Sequence, residues 1–194
     1  MRQRGVLPTD IAAFFTYVEL PMLTHRPAQP ADAQLYFDWA NDPDTRRQSF
    51  NSNPISPETH AAWFARKLAD PNTLLLVFEN EWAEAVGQVR FERTPVADMP
   101  DEIIIGLSVD AKQRGRGLAS QLIELGCAAC REQWKAVTIH AYIKPDNKAS
   151  VRAFERAGFK LSGESGKFAR PGRASPGRTT PGRELPSLVY SHVE

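Results

Sequence analysis

Cysteine is nearly absent and net charge is close to zero: the 194 residues hold two cysteines, four histidines and a formal charge of +1. Near-neutrality removes the electrostatic footprint of a chain that binds nucleic acid or an anionic membrane in bulk. No apolar run reaches the ~20 residues that cross a bilayer. The nearest, Ile11–Leu23, is short and holds Glu19 and Pro21. No long apolar stretch ends at a small-residue cleavage pattern, so no secretory leader is expected. Cys127 and Cys130 have CxxC spacing but follow Leu118, Leu122 and Leu125 in mid-helix, away from a helix N-terminus that would stabilise a thiolate. Two sulfurs leave a zinc site short of ligands. They read as small core residues of a cytoplasmic protein, and no metal is expected. No Gly-Lys-Ser/Thr closes a glycine-rich loop and no GxGxxG opens a βαβ unit, which excludes the P-loop and the dinucleotide fingerprint.

What is present is an ordinary apolar and charged balance with alternating strand and helix patterns, long enough for one domain with a sizeable core. Residues 1–21 read as an N-terminal extension before a second methionine, Met22, with either methionine open as the start; residues 22–194 read as the domain. Leu23–Arg26 is a first strand and Ala31–Ala40 a helix with Leu35, Tyr36 and Trp39 on one face, broken by Asn41-Asp-Pro-Asp44. Ser56-Pro57 is an N-cap and N1 pair that opens a helix to Ala69. Leu74–Glu79 and Val86–Arg93 form a hairpin through Asn80–Glu84, Pro95–Pro100 is a turn, and Glu102–Val109 is the next strand. A helix from Leu118, a strand at Val137–Tyr142, a helix capped at Asp146 or Asn147 and stopped by Gly158, and strands at Phe159–Ser162 and Leu185–Val193 complete the order. Between the last two strands, Gly166–Arg183 repeats Pro-Gly-Arg at Pro171, Pro176 and Pro181 and reads as a solvated loop, with an electrostatic tether as the alternative. Mixed β and α order implies an α/β (α+β) fold on one mixed sheet.

The most informative stretch is Leu107-Ser-Val-Asp-Ala-Lys-Gln-Arg-Gly-Arg-Gly-Leu-Ala119. A strand hands over through Arg114-Gly-Arg-Gly117 to a helix, and the free N–H groups and positive dipole end of that helix suit a pyrophosphate. Asn147, Ser150, Phe154 and Gly158-Phe159 form a second segment on the following helix. Together the two segments resemble the GNAT family of N-acetyltransferases, whose acetyl-CoA loop reads Arg/Gln-x-x-Gly-x-Gly/Ala. The resemblance implies a single domain with a mixed, mostly antiparallel sheet of about 6–7 strands, its central strands splayed, flanked by about 4 helices. It implies that Leu107, Ser108 and Val109 contact the pantetheine through main chain, with the thioester carbonyl near the Leu107 or Ser108 amide. Arg114, Gly115, Arg116, Gly117, Leu118 and Ala119 would wrap the pyrophosphate of acetyl-CoA, mostly through backbone donors, and Asn147, Ser150 and Phe154 would flank the arm. Many relatives carry a tyrosine at the position of Phe154 that protonates the leaving thiolate. Its absence turns attention to Tyr142 and His140, and Glu102 is the candidate general base; a half-buried strand face and a solvated carboxylate are the alternatives for these groups.

The first third resembles the members that acetylate the 4-amino group of UDP-linked amino sugars in making pseudaminic-acid-type flagellar sugars. The residues carrying this are Trp39-Ala-Asn-Asp-Pro-Asp-Thr-Arg46, Ser49-Phe-Asn51, Pro54-Ile-Ser56, His60, Trp63-Phe64 and Gly87-Gln-Val-Arg-Phe91. Trp-x-Asn-Asp-Pro also occurs in relatives that acetylate ribosomal-protein N-termini. Arg46, Arg47 and Arg90 are candidates for a diphosphate, Trp39, Phe50 and Trp63 for stacking on a base or sugar, and Asn51 and His60 for hydroxyls. Core packing of the aromatics and solvation of the arginines are the alternatives. The expected partner is a small amine, with neither nucleic acid nor membrane, and the chain is expected to be a monomer or homodimer. Acetylation of other small amines, and a non-catalytic acetyl-CoA-binding module, stay open.

Overall fold

A computed structural model describes residues 22–95, 102–135, 138–165 and 187–193. The N-terminal extension, Val137, the Gly166–Arg183 loop and all but the first residue of the Pro95–Pro100 turn lie outside the described residues. Seven strands form one sheet: β1 (Thr24–Pro27), β2 (Thr73–Glu79), β3 (Ala85–Thr94), β4 (Glu102–Val109), β5 (Thr138–Ile143), β6 (Lys160–Ser165) and β7 (Ser187–Val193), in the order β1-β2-β3-β4-β5-β7-β6. Every neighbouring pair is antiparallel except β4–β5. The helices are α1 (Ala33–Asn41), α2 (Pro43–Gln48), α3 (Pro57–Ala69), α4 (Leu118–Trp134) and α5 (Lys148–Arg156).

Strand alternation sorts the side chains to two faces. On one, Leu76, Phe78, Val89, Phe91, Ile103, Ile105, Ile139, Ala141 and Ile143 pack against Leu118, Leu122, Ile123, Cys127 and Cys130 of α4 and Phe154 of α5. Burying each large side chain contributes roughly 1.5–3 kcal/mol. Both cysteines belong to this core, and burial, with Cys127 adding to it, pushes the Cys130 thiol up to about 12. On the other face Leu75 and Val77 meet Tyr36, Trp39 and Phe64 from α1 and α3. That second layer packs on β2, and α1 also contacts β4.

Local chemistry sets the helix ends. Ser56 caps α3 by accepting from the Thr59 N–H, with Pro57 at the first helical position. Asn147 caps α5 by accepting from Ser150 N–H. The Asn41–Asp44 break is also a start: Asp42 accepts from Thr45 N–H, and Pro43 opens the short helix α2.

Candidate functional site

The parallel pair is the key to the site. β4 and β5 are in register only from Ile103↔Ile139 to Ile105↔Ala141, although β4 runs to Val109 and β5 to Ile143. Beyond Ile105 the strands part. Asp110 N–H donates to Val86 O at 2.9 Å, so its backbone faces β3. Alternation then turns the N–H and C=O of Leu107 and Val109 into the gap, and those of Ser108 toward β3. Leu107 and Val109 therefore turn backbone groups into the gap, with Val109 O accepting from Arg114 Nε, whereas the Ser108 amide faces β3. Its hydroxyl instead accepts from Gln88 Nε2 at 3.4 Å.

At the end of the gap, Gly115 and Gly117 both have φ near 77°, a left-handed conformation that side chains resist. A Cβ on either would meet nothing within 4 Å, so the loop borders open space. Gly117 is the N-cap of α4 and supplies no side-chain cap. The first N–H groups of this 17-residue helix are left for an external acceptor. Open space over glycines, uncapped amides and an exposed Arg116, whose Nη1 donates to Gln113 Oε1 at 2.9 Å, fit the diphosphate of coenzyme A. Leu118 contributes main chain only, since its side chain lies in the core.

Two expectations are corrected here, and a third side chain is committed inside the protein. The Arg114 guanidinium is held by Asp42 Oδ1 (2.6 Å), Asp44 Oδ2 (3.2 Å), Thr45 Oγ1 (3.3 Å) and Val109 O (3.1 Å), which leaves only its backbone for the expected main-chain contact. Phe154 is 3% exposed and packs edge-on to Phe159 in the core, so it lines no open cofactor surface. Trp39 is 4% exposed and its indole N–H donates to Asp110 Oδ2 at 3.0 Å, so it braces the turn that leads from β4 to the glycine loop and has no free face for a substrate.

The acceptor-side candidates converge in part. Arg90 runs over Gly106, where an added Cβ would lie 2.9 Å from its Nη2, and its guanidinium sits 5.7 Å from the Trp63 ring centroid. Trp63 touches His60, which also meets Phe37 and Phe64. His60 is 3% exposed; burial holds its imidazole below its ordinary value, against the pull of Asp38. The His60 Nε2 is buried without a hydrogen-bond partner, so the ring is enclosed among the aromatics and is not presented at the surface. Arg46 donates to Asn51 O (3.1 Å), Asn53 O (3.3 Å) and Ser49 Oγ (2.8 Å), but its buried Nε has no partner. Burial and then the Arg90 charge disfavour the Arg46 cation. Among the described residues no carboxylate pairs with it. Arg47, by contrast, is exposed and ion-paired with Asp44 (2.8 Å), outside this group. Asn51 is exposed and Phe50 half-buried just past α2. Gln48 Oε1 and Gln88 Oε1 are further buried acceptors without partners; Gln88 stands in the Gly87–Phe91 stretch without an assigned role, and nothing in the local sequence singles out Gln48.

The two catalytic candidates meet each other. Glu102, at the start of β4, accepts from the Tyr142 hydroxyl of β5 at 2.9 Å. Burial and the carboxylate push that hydroxyl up to about 12, so it stays a donor at neutral pH. His140, also proposed from sequence, is occupied with Ser191 Oγ at 2.9 Å. Among the described residues no group of His, Cys, Asp or Glu is placed to hold a metal ion, and no helix is long and apolar enough to cross a membrane.

A parallel pair that parts beside an uncapped helix start is the arrangement that the resemblance to the acetyltransferases implied. Residues 22–160 match the model of the acetyltransferase (GNAT) domain, and the chain belongs to the GNAT family of N-acetyltransferases. No curated protein matches it by sequence. Its fold is similar to a spermidine N-acetyltransferase from Vibrio cholerae in complex with CoA and spermine (16% identity, TM-score 0.72, covering 88% of this chain and 95% of that one). It is also similar to the aminoglycoside acetyltransferase AAC(6')-Ib in complex with coenzyme A (15%, TM-score 0.70, 89% and 95%). A third match is a ribosomal-protein-alanine N-acetyltransferase from Brucella melitensis (22%, TM-score 0.68, 88% and 99%).

Proposed function

We propose that the chain transfers the acetyl group of acetyl-CoA to a primary amine on an anionic acceptor, the 4-amino group of a UDP-linked amino sugar. The observation that carries the acceptor is Arg46: a buried guanidinium nitrogen without a partner, beside Arg90, with no carboxylate paired to Arg46 among the described residues, while Arg90 itself is paired with Glu92 at 3.1 Å. A polyamine or aminoglycoside would bring more positive charge to that place. A diphosphate or carboxylate would neutralise it through charge-assisted hydrogen bonds.

When bound, acetyl-CoA supplies an activated acetyl carbonyl and a thiolate leaving group. The chain's own contribution is placement, worth as much as ~7–11 kcal/mol of the barrier. The N–H groups at the start of α4 hold the diphosphate end. Leu107 N–H is the main-chain donor available to the acyl oxygen. Glu102 receives the amine proton through water, and Tyr142 fixes the orientation of that carboxylate. With phenylalanine at position 154, that position holds no hydroxyl that could protonate a departing thiolate.

Thiol release from acetyl-CoA, measured with a UDP-4-amino sugar, spermidine, an aminoglycoside and an alanine-terminated peptide, tests the reading. The sugar nucleotide is expected to be the preferred acceptor. Arg46→Gln should lower kcat/KM for it by roughly 10–100-fold, the worth of a hydrogen bond to a charged group. Turnover of the peptide or of polyamines alone would overturn the acceptor assignment, and binding without turnover on any amine would overturn the catalytic one.

A further inference from the structure

Helix α2 is tied to both lips of the parted strands. At its N-terminal end, Asp42 and Asp44 hold Arg114, which follows β4. At its C-terminal end, the Arg47 carbonyl accepts from Lys144 Nζ at 2.7 Å, and Lys144 follows β5. The six residues of α2 thus bridge the gap from one strand end to the other. Arg114 is the hub of this bridge. It makes four hydrogen bonds at once: to Asp42, Asp44 and Thr45 of the acceptor side, and to the carbonyl of Val109, whose backbone borders the gap. Trp39 runs a second brace between the same two regions through Asp110. Asp42 serves twice, as N-cap of α2 and as the partner of Arg114.

We propose that Arg114 is a positioning residue for the acceptor helix and not a ligand of the coenzyme's phosphates: it clamps α2, and with it Arg46, to the glycine loop, so that ordering one orders the other. The proposal rests on the reading that this loop takes the diphosphate of coenzyme A. It makes the two substrates' affinities linked by a single side chain, and such linkage is reciprocal. Burial alone would raise the Asp42 carboxyl; Arg114 and the Thr45 N–H outweigh it and hold the group below its ordinary value, consistent with a persistent ion pair at neutral pH.

The test is amide hydrogen exchange over residues 44–48 of the full chain with and without saturating CoA, with CoA affinity measured by calorimetry on the same samples. In the unaltered protein CoA should slow exchange across α2 by about tenfold, the low end of a typical coupling free energy. Arg114→Gln should bind CoA within about threefold of the parent, as a residue outside the phosphate site, yet lose that protection. Asp42→Asn keeps the N-cap while removing the charge, and should reproduce the loss in a folded protein even if Arg114→Gln is unstable. Retained protection in Asp42→Asn or Arg114→Gln would overturn the clamp. So would a CoA affinity weakened about thirtyfold or more in Arg114→Gln with protection intact at saturation, because that is the signature of a phosphate ligand. Absence of CoA binding by the unaltered protein would instead sink the donor assignment, a distinct result.

Discussion

Tyr142 and Glu102 lie on adjacent parallel strands, and the hydroxyl of one donates to the carboxylate of the other at 2.9 Å. The contact joins the start of β4 to the far end of β5, on the sheet face opposite α4. Because the hydroxyl stays protonated up to about pH 12, it orients the carboxylate and does not relay protons as a phenolate. Glu102→Gln should therefore lower kcat by roughly 10²–10⁴-fold, the usual worth of a general base, with CoA affinity unchanged. Tyr142→Phe, which removes orientation and leaves the base, should cost about tenfold. Steady-state thiol release and calorimetry on both variants check this; a Glu102→Gln enzyme that keeps its kcat contradicts the role.

His60 makes stability fall with acidity. Its imidazole titrates below 6.5 in the fold because burial disfavours the cation, while the unfolded chain takes up the proton near the ordinary value. The depressed group contributes stability that is present above pH 6.5 and lost as pH falls through the folded value. The urea midpoint should decline between pH 7 and 5, and His60→Phe, which keeps a ring among Phe37, Trp63 and Phe64, should flatten that decline. An unchanged slope would contradict it.

Gly106→Ala tests the placement of Arg90. The new methyl would lie 2.9 Å from Arg90 Nη2, the movable end of a side chain, so the guanidinium shifts and the backbone stays. The acceptor KM should rise about tenfold, within the range for one charged hydrogen bond, with a melting temperature near that of the parent. A large drop in melting temperature would show that Gly106 is there for the fold.

Trp39→Phe removes the bond to Asp110 and keeps most of the buried ring. A lost hydrogen bond to a charged group costs about 1.5–3 kcal/mol. Chemical denaturation should show that loss, and CoA binding should weaken because Asp110 also accepts from Lys112 N–H and shapes the turn into the coenzyme loop.

Much of this fold is written in local chemistry. Ser56-Pro57, Asn147 and Gly158 mark helix ends by hydrogen bonds made within a few residues, and the apolar run Leu74–Phe78, the turn residues Asn80–Glu84 and the strand Val86–Arg93 mark a hairpin without reference to the rest of the chain. Gly115 and Gly117 announce a loop whose backbone must turn left-handed before a helix. Helix α2 was missed although its start uses the same grammar as α3, an acidic or hydroxyl cap followed by proline; the Asn41–Asp44 run is dominated by breakers and reads as an interruption. The insertion of β7 between β5 and β6 is invisible locally, since it depends on pairing across the residues that separate Ser165 from Ser187. The roles of Trp39 and Arg114 were hidden for the same reason. Their partners, Asp110 and Asp42, are 71 and 72 residues away in sequence, and a tryptophan or arginine looks the same in a sequence whether it greets a ligand or the protein itself.

The claim on which the account stands is that the amides at the start of α4, freed by Gly115 and Gly117, capture coenzyme A. Calorimetric titration of CoA into the parent and into Gly117→Val tests it most directly. A β-branched residue at φ near 77° carries a left-handed penalty of roughly 1–2 kcal/mol and puts side-chain bulk where the diphosphate must approach. One CoA per chain bound by the parent, and no heat from a Gly117→Val protein that still unfolds cooperatively, is the predicted result; a parent that takes up no CoA at millimolar concentration, or a variant that binds it equally well, would contradict it.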